Sequence, residues 1–135
     1  MFSRFGPAAK RILRGAEQAA RNHNHYYVGV GHLLLALIEE SDPAIEAQLR
    51  ERGIRRDIAL AQARRALGTG DDRLWEGILI TPRVRAVVAR AEEGLDEGAE
   101  LAPVDLFHAL AEEEVGLAAE VLAGSRCDPS PQARA

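Results

Sequence analysis

The chain has 135 residues, a formal net charge of −4, 47% hydrophobic residues and 28% charged residues, which suits one globular domain of ordinary composition. Aromatic residues make up only 4% of the chain, so its core must be built mainly from Ala, Leu, Val and Ile. Such a core favours close-packed helices over a β-sandwich. Basic residues form no stripe interleaved with aromatics, which argues against a nucleic-acid partner.

The chain carries no segment typical of export or membrane insertion. Its longest apolar run, residues 33–38, is too short to cross a bilayer, and its N-terminus lacks the apolar region of a signal peptide. The single cysteine, Cys127, cannot form an internal disulfide and fits a reducing compartment. We therefore predict a cytoplasmic protein without a membrane partner.

Apolar residues recur with helical spacing through most of the chain. Pro7 fits the first turn of an opening helix, Ser41 or Asp42 should cap the third, and Gly53 and Gly68 should end the third and fourth. Thr81 and Pro82 restart a helix after a glycine-rich and acidic stretch. Seven helices are expected, at about residues 5–20, 30–40, 43–52, 54–67, 82–95, 103–113 and 116–123.

The order of these helices repeats along the chain. A shift of 73 residues superposes 28–49 on 101–122 with six identities, and a shift of 75 places Phe5 on Ile80 and Leu13 on Val88. We therefore predict a duplicated helical unit of about 75 residues. Residues related by these shifts are called counterparts below.

Several residues invite a chemical interpretation. The glycines of "VGVGHLLLAL" at 28–37 follow no strand and lack the third glycine of a nucleotide loop. His23, His25 and His32 could be metal ligands or structural residues, and their spacing favours the structural interpretation. His108 lies in an apolar helix and is expected to be a packing residue, whereas Trp75 is either an anchor for the linker or an exposed hot spot for binding. No catalytic constellation is visible, so we predict no enzyme, no cofactor and no metal.

Taken together, these features resemble the N-terminal (Clp R, double Clp-N) domain of Clp unfoldases, most like the ClpC type. The residues that carry the resemblance are "MFSRFGPAAKRIL" at 1–13, "NHYYVGVGHLLLAL" at 24–37, "DPAIEAQL" at 42–49, "ITPRVRAVV" at 80–88 and "LFHALAEEEVGLAAEVL" at 106–122.

The resemblance implies an all-α fold of two pseudo-symmetric four-helix repeats, the second lacking its last helix. The expected organisation is a domain at 1–124, divided into repeat one (1–67), a linker (68–80) and repeat two (81–124), with a disordered tail at 125–135. No G-x-x-x-x-G-K-[ST] sequence occurs, so no ATPase is predicted, and the chain is interpreted as a free-standing Clp N protein.

The resemblance also implies binding sites. ClpC-type domains carry Thr-Glu-His at the second helix of each repeat, where the glutamates help bind arginine-phosphorylated substrates; here Gly31 and Val104 replace them, so this recognition should be weakened. A second family surface, where the opening helices meet, accepts ligands and some cyclic-peptide antibiotics. Its matching residues here are Phe2, Phe5, Lys10, Ile80, Pro82 and Arg83.

We therefore predict a non-enzymatic protein-interaction module of the Clp chaperone-protease system, which binds adaptors, substrates or an unfoldase. The alternative is a protein that sequesters a small molecule or peptide antibiotic by mimicking the unfoldase N domain.

Overall fold

The chain folds into seven α-helices and two very short strands within the part that the structure, a computed structural model, describes. The described residues are 3–23, 25, 27–40, 42–69, 79–112 and 117–124. The all-α prediction with about seven helices is confirmed. In chain order the elements are α1 (Pro7–Asn22), β1 (Tyr27–Val28), α2 (Val30–Glu39), α3 (Pro43–Glu51), α4 (Arg56–Leu67), β2 (Leu79–Ile80), α5 (Pro82–Glu93), α6 (Pro103–Ala111) and α7 (Leu117–Gly124).

Some predictions concern residues outside those ranges. They are the binding role of Phe2, the two interpretations of Trp75, the capping alternative at Ser41, and the predictions made for Cys127 and the tail at 125–135. The boundaries of the two repeats and the linker likewise stay predictions.

Local chemistry explains several of the helix ends. The Asp42 carboxylate accepts a hydrogen bond from the backbone N–H of Ala44 (2.8 Å), and the Thr81 hydroxyl accepts one from Val84 (3.3 Å). These bonds satisfy amides that a helix start would otherwise leave without partners. Gly53 and Gly68, which end α3 and α4, adopt positive φ angles of 69° and 61°, a conformation that costs glycine little.

The centre of the core is α2, which is buried along nearly its whole length from Gly31 to Ile38. Against it lies a face of α1 made of buried alanines, among them Ala9 and Ala16. Because these side chains are small, the two helices approach closely: a Cβ added at Gly15 would lie 3.4 Å from that of Ala36. The seam between α1 and α2 therefore has little room for larger side chains.

Helices of the two repeats contact each other in addition to the contacts within each repeat. Each opening helix lies on the second helix of its own repeat, α1 on α2 and α5 on α6. Across the repeats, α3 contacts α6, while α7 contacts both α2 and α4. Among the described residues, no helix follows α7 in the way that α4 follows α3.

We expect Ala16→Leu to lower the free energy of unfolding by about 1–3 kcal/mol, because the larger side chain has no space in the α1–α2 seam. Ala61→Leu, on the exposed side of α4, is the matched control and should change it by less than about 0.5 kcal/mol. Urea denaturation measures both variants. Equal effects would mean that the seam is not tightly packed.

Candidate interaction site

The segment before α1 pairs with the segment before α6. Phe5 and Leu101 form an isolated parallel bridge, in which the N–H of Gly6 donates to the carbonyl of Leu101 (3.0 Å) and the N–H of Leu101 donates to the carbonyl of Arg4 (2.7 Å). The Arg4 guanidinium also donates to the carbonyl of Asp96 (2.7 Å). This contact, which we call the first junction, therefore attaches the start of repeat one to repeat two.

The segment before α5 pairs with the segment before α2. Strands β1 and β2 are parallel, with Val28 opposite Ile80, and the N–H of Thr81 donates to the carbonyl of Val28 (3.2 Å). The Arg85 side chain donates to the carbonyl of Ile80 (3.3 Å). This second junction attaches the start of repeat two to repeat one.

The two junctions are counterparts of each other. The shift of 75 residues relates Gly6 to Thr81, and the shift of 73 relates Val28 to Leu101, so the same donor and acceptor positions are used twice. Each repeat thus contributes its opening segment to the other. The shifts were visible in the sequence, but the exchange between repeats was not predicted.

The predicted binding residues that the structure describes lie at these junctions or in the first turn of the helix that follows. Phe5 is buried at the first junction, and Lys10 is exposed in the first turn of α1. At the second junction Ile80 is half-buried against the core, and Pro82 and Arg83 are exposed at the start of α5. At the second junction an exposed cationic side chain, Arg83, therefore lies three residues from a partly buried apolar one, Ile80, while a role for these residues in binding stays a prediction.

The two positions where the resemblance expects glutamate lie in the first turns of α2 and α6. Gly31 is buried and Val104 is half-buried. The neighbouring acidic group, Asp105, is already used: its carboxylate accepts a hydrogen bond from the N–H of Ala102 (2.9 Å) at the start of α6. Positions 31 and 104 thus offer no carboxylate to a guanidinium ligand, and the carboxylate at position 105 already accepts a backbone hydrogen bond.

His32, the counterpart of Asp105, closes the start of α2 in the same way. The N–H of Gly29 donates to His32 Nδ1 (2.9 Å), which places the imidazole proton on Nε2. That Nε2 then donates to Nδ1 of His25 (2.8 Å), a residue that is also buried. His23 Nδ1 lies 2.6 Å from the carbonyl of Gly68 and stacks on His25. The sequence spacing did not reveal this contact between histidines.

Burial of His32 lowers its pKa from 6.5 to about 4, and the nearby His25 and His23 charges act in the same direction. A neutral His32 is required by the hydrogen bond from Gly29, because a protonated imidazole has no lone pair to accept it. The described residues hold no group of three or more His, Cys, Asp or Glu side chains arranged to bind a metal ion. Within the same ranges, the helices are all too short or too polar to cross a membrane.

One prediction about a histidine is wrong. His108 was expected to pack inside the protein, yet its side chain is exposed on α6. Its counterpart Leu35 is buried in α2. The helical period located the correct helix but could not show which elements cover each of its faces.

The fold and the two junctions describe an all-α domain made of two related helical units. The family model of the Clp repeat (R) N-terminal domain matches residues 4–98, so the chain belongs to this family. The chain is 31% identical over 135 residues to the chloroplastic chaperone protein ClpC2 of Oryza sativa subsp. japonica and to the chloroplastic chaperone protein ClpC1 of Arabidopsis thaliana.

These comparisons cover different shares of the chains involved. Each alignment includes 96% of this chain but 14% of the chloroplastic protein, so the chain spans about a seventh of these relatives. A solved structure from preliminary investigations of a malarial protein secretion system superposes with a TM-score of 0.72, covering 91% of this chain and 85% of that one. Its 17% identity shows a shared fold alone.

We expect the free energy of unfolding to fall as the pH drops from about 6.5 to about 4. The unfolded chain protonates His32 near pH 6.5 whereas the folded chain does so only near pH 4, so acid favours unfolding by up to about 3 kcal/mol. Urea denaturation between pH 4 and pH 7 measures this dependence. His32→Gln should remove much of it and His108→Gln should keep it; a His32→Gln protein with an unchanged pH dependence would contradict the assignment.

Proposed function

We propose that the chain is a non-enzymatic docking module of the Clp chaperone-protease system, which binds an unfoldase, an adaptor or a substrate through its two junctions. Clp N domains in general bind adaptors and substrates, and the chain belongs to that family. The observation that carries the proposal is the combination of exposed Pro82 and Arg83 beside half-buried Ile80 at the second junction with exposed Lys10 in the first turn of α1, next to the first junction.

The chemistry of these junctions suits a protein surface. Ile80 offers apolar area that is only partly covered, and the exposed cationic side chain of Arg83 follows it three residues later in α5. Lys10 supplies a second exposed cation in the first turn of α1. Apolar contacts supply affinity, while charges at the rim guide orientation and association. We expect the partner surface to be apolar with an acidic rim. A cytoplasmic location is part of the proposal.

The first test measures binding of the chain to a purified ClpC-type unfoldase in the presence of ATP. The double variant Lys10→Glu, Arg83→Glu should bind at least about tenfold more weakly, since it reverses the charge at both junctions. Arg14→Glu with Arg65→Glu is the matched control, because both arginines are exposed away from the junctions. Isothermal titration calorimetry provides the dissociation constants.

Unchanged binding by the double variant would exclude the junctions as the docking site. If the chain binds neither the unfoldase nor its adaptors and substrates but binds a Clp-directed cyclic peptide, the docking function is wrong and the sequestering alternative replaces it.

A second test addresses arginine-phosphorylated substrates. We expect Val104→Glu to bind a phosphoarginine peptide at least about tenfold more tightly than the native chain, because it restores a carboxylate that can accept charge-assisted hydrogen bonds from the guanidinium. Val104 is half-buried, so the larger side chain has access to solvent. Val104→Gln is the neutral control of similar size. Strong binding by the native chain would show that recognition does not need these glutamates.

A further inference from the structure

Each repeat holds a groove between its first and second helices. The groove of repeat one has a volume of about 200 Å³ and includes Gly15, Leu35, Glu39 and Arg64. The groove of repeat two has about 210 Å³, and we call it the α6 groove; its lining includes Arg90, Asp105, His108 and Glu112. Counterparts line the two grooves, because Gly15 corresponds to Arg90, Leu35 to His108 and Glu39 to Glu112.

In repeat one, arginines of α4 cover the end of α2. The Arg64 guanidinium forms an ion pair with the Glu39 carboxylate at 2.7 Å. The Arg56 side chain donates to the carbonyls of Ile38 (3.0 Å) and Glu39 (3.2 Å). These carbonyls belong to the last turn of a helix, where main-chain acceptors need partners from elsewhere and cations are favoured. Helix α4, with two arginines eight residues apart, thus supplies both the ion pair with Glu39 and the donors for the last carbonyls of α2.

In repeat two, the same acidic position has no such partner. Within the described residues, no side chain pairs with the Glu112 carboxylate, and no counterpart of α4 lies on α6. Arg90, the arginine that lines this groove, donates to the carbonyl of Ala109 (3.2 Å). The α6 groove therefore has a carboxylate, that of Glu112, at the position equivalent to Glu39. Among the described residues it has no arginine equivalent to Arg64.

The surface around the α6 groove is more exposed to solvent than the equivalent surface of repeat one. His108 is exposed where Leu35 is buried, and Ala111 is half-buried where Ile38 is buried. The Arg52 guanidinium lies 5.5 Å from the ring centroid of Phe107, which is fully buried. This surface is thus more polar than its counterpart in repeat one, and contacts that form and separate are typically more polar than a core.

We propose that the α6 groove binds an amphipathic helix of a partner protein that carries arginines in the pattern of α4. One arginine pairs with Glu112, and a second, about two turns earlier, reaches the last carbonyls of α6. The excess of acidic residues in 68–135, 14 against 6 basic residues, favours such a cationic helix. This surface differs from the two junctions, so the inference does not rest on the proposed function.

The probe for this site is the α4 segment itself, as an acetylated and amidated peptide, "GIRRDIALAQARRALGT", residues 53–69. Fluorescence anisotropy of the labelled peptide should show saturable binding to the full chain. Glu112→Gln in the chain should weaken it about fivefold. Glu97 is an exposed acid in the loop between α5 and α6. Its substitution Glu97→Gln is the matched control and should leave the affinity for the peptide unchanged.

A double-mutant cycle makes the test specific. The peptide variant Arg64→Ala should lose about as much affinity as Glu112→Gln, and the two changes together should lose little more, because both remove one ion pair. Absence of binding, or additive losses, would overturn the proposal. So would markedly tighter binding by a chain ending at Gly124, since residues 125–135 would then be the natural occupant of the groove.

Discussion

The hydrogen bonds that exchange the opening segments between the repeats hold the rest of the structure in place. Because Gly6 bonds to Leu101 and Thr81 bonds to Val28, α1 and α5 each begin on the opposite repeat and then pack within their own. Neither repeat can separate without breaking both junctions and exposing α2, the most buried helix. The exchange also creates the paired surfaces on which the proposed docking rests.

The two repeats use equivalent backbone hydrogen bonds at their junctions, whereas their side chains differ in chemistry at equivalent positions. An imidazole closes the start of α2, whereas a carboxylate closes the start of α6, at nearly the same distance from the backbone N–H. The burial that lowers the pKa of His32 is therefore expected to make the start of α2 sensitive to acid. The two repeats therefore have similar backbone contacts but different side chains at equivalent positions.

Much of the fold could be predicted from the sequence because its signals are local. The apolar period, the caps at Asp42 and Thr81 and the terminal glycines each depend on residues within a turn or two. The contacts that join the two repeats link residues 52 or 96 positions apart, as in Val28 with Ile80 and Phe5 with Leu101. His108 shows the same limit, since its exposure depends on which helices surround α6.

The sequence by itself determined the helices, the duplication and the membership in a family, because periodicity and repeated motifs need no knowledge of distant contacts. Through the resemblance, it also led to the prediction that Gly31 and Val104 stand where glutamates are expected. Only the tertiary structure decided that the opening segments are exchanged, that His25 bonds to His32, and that α4 covers α2 while no described helix covers the equivalent part of α6. Those outcomes depend on which faces meet, and packing between distant segments selects them.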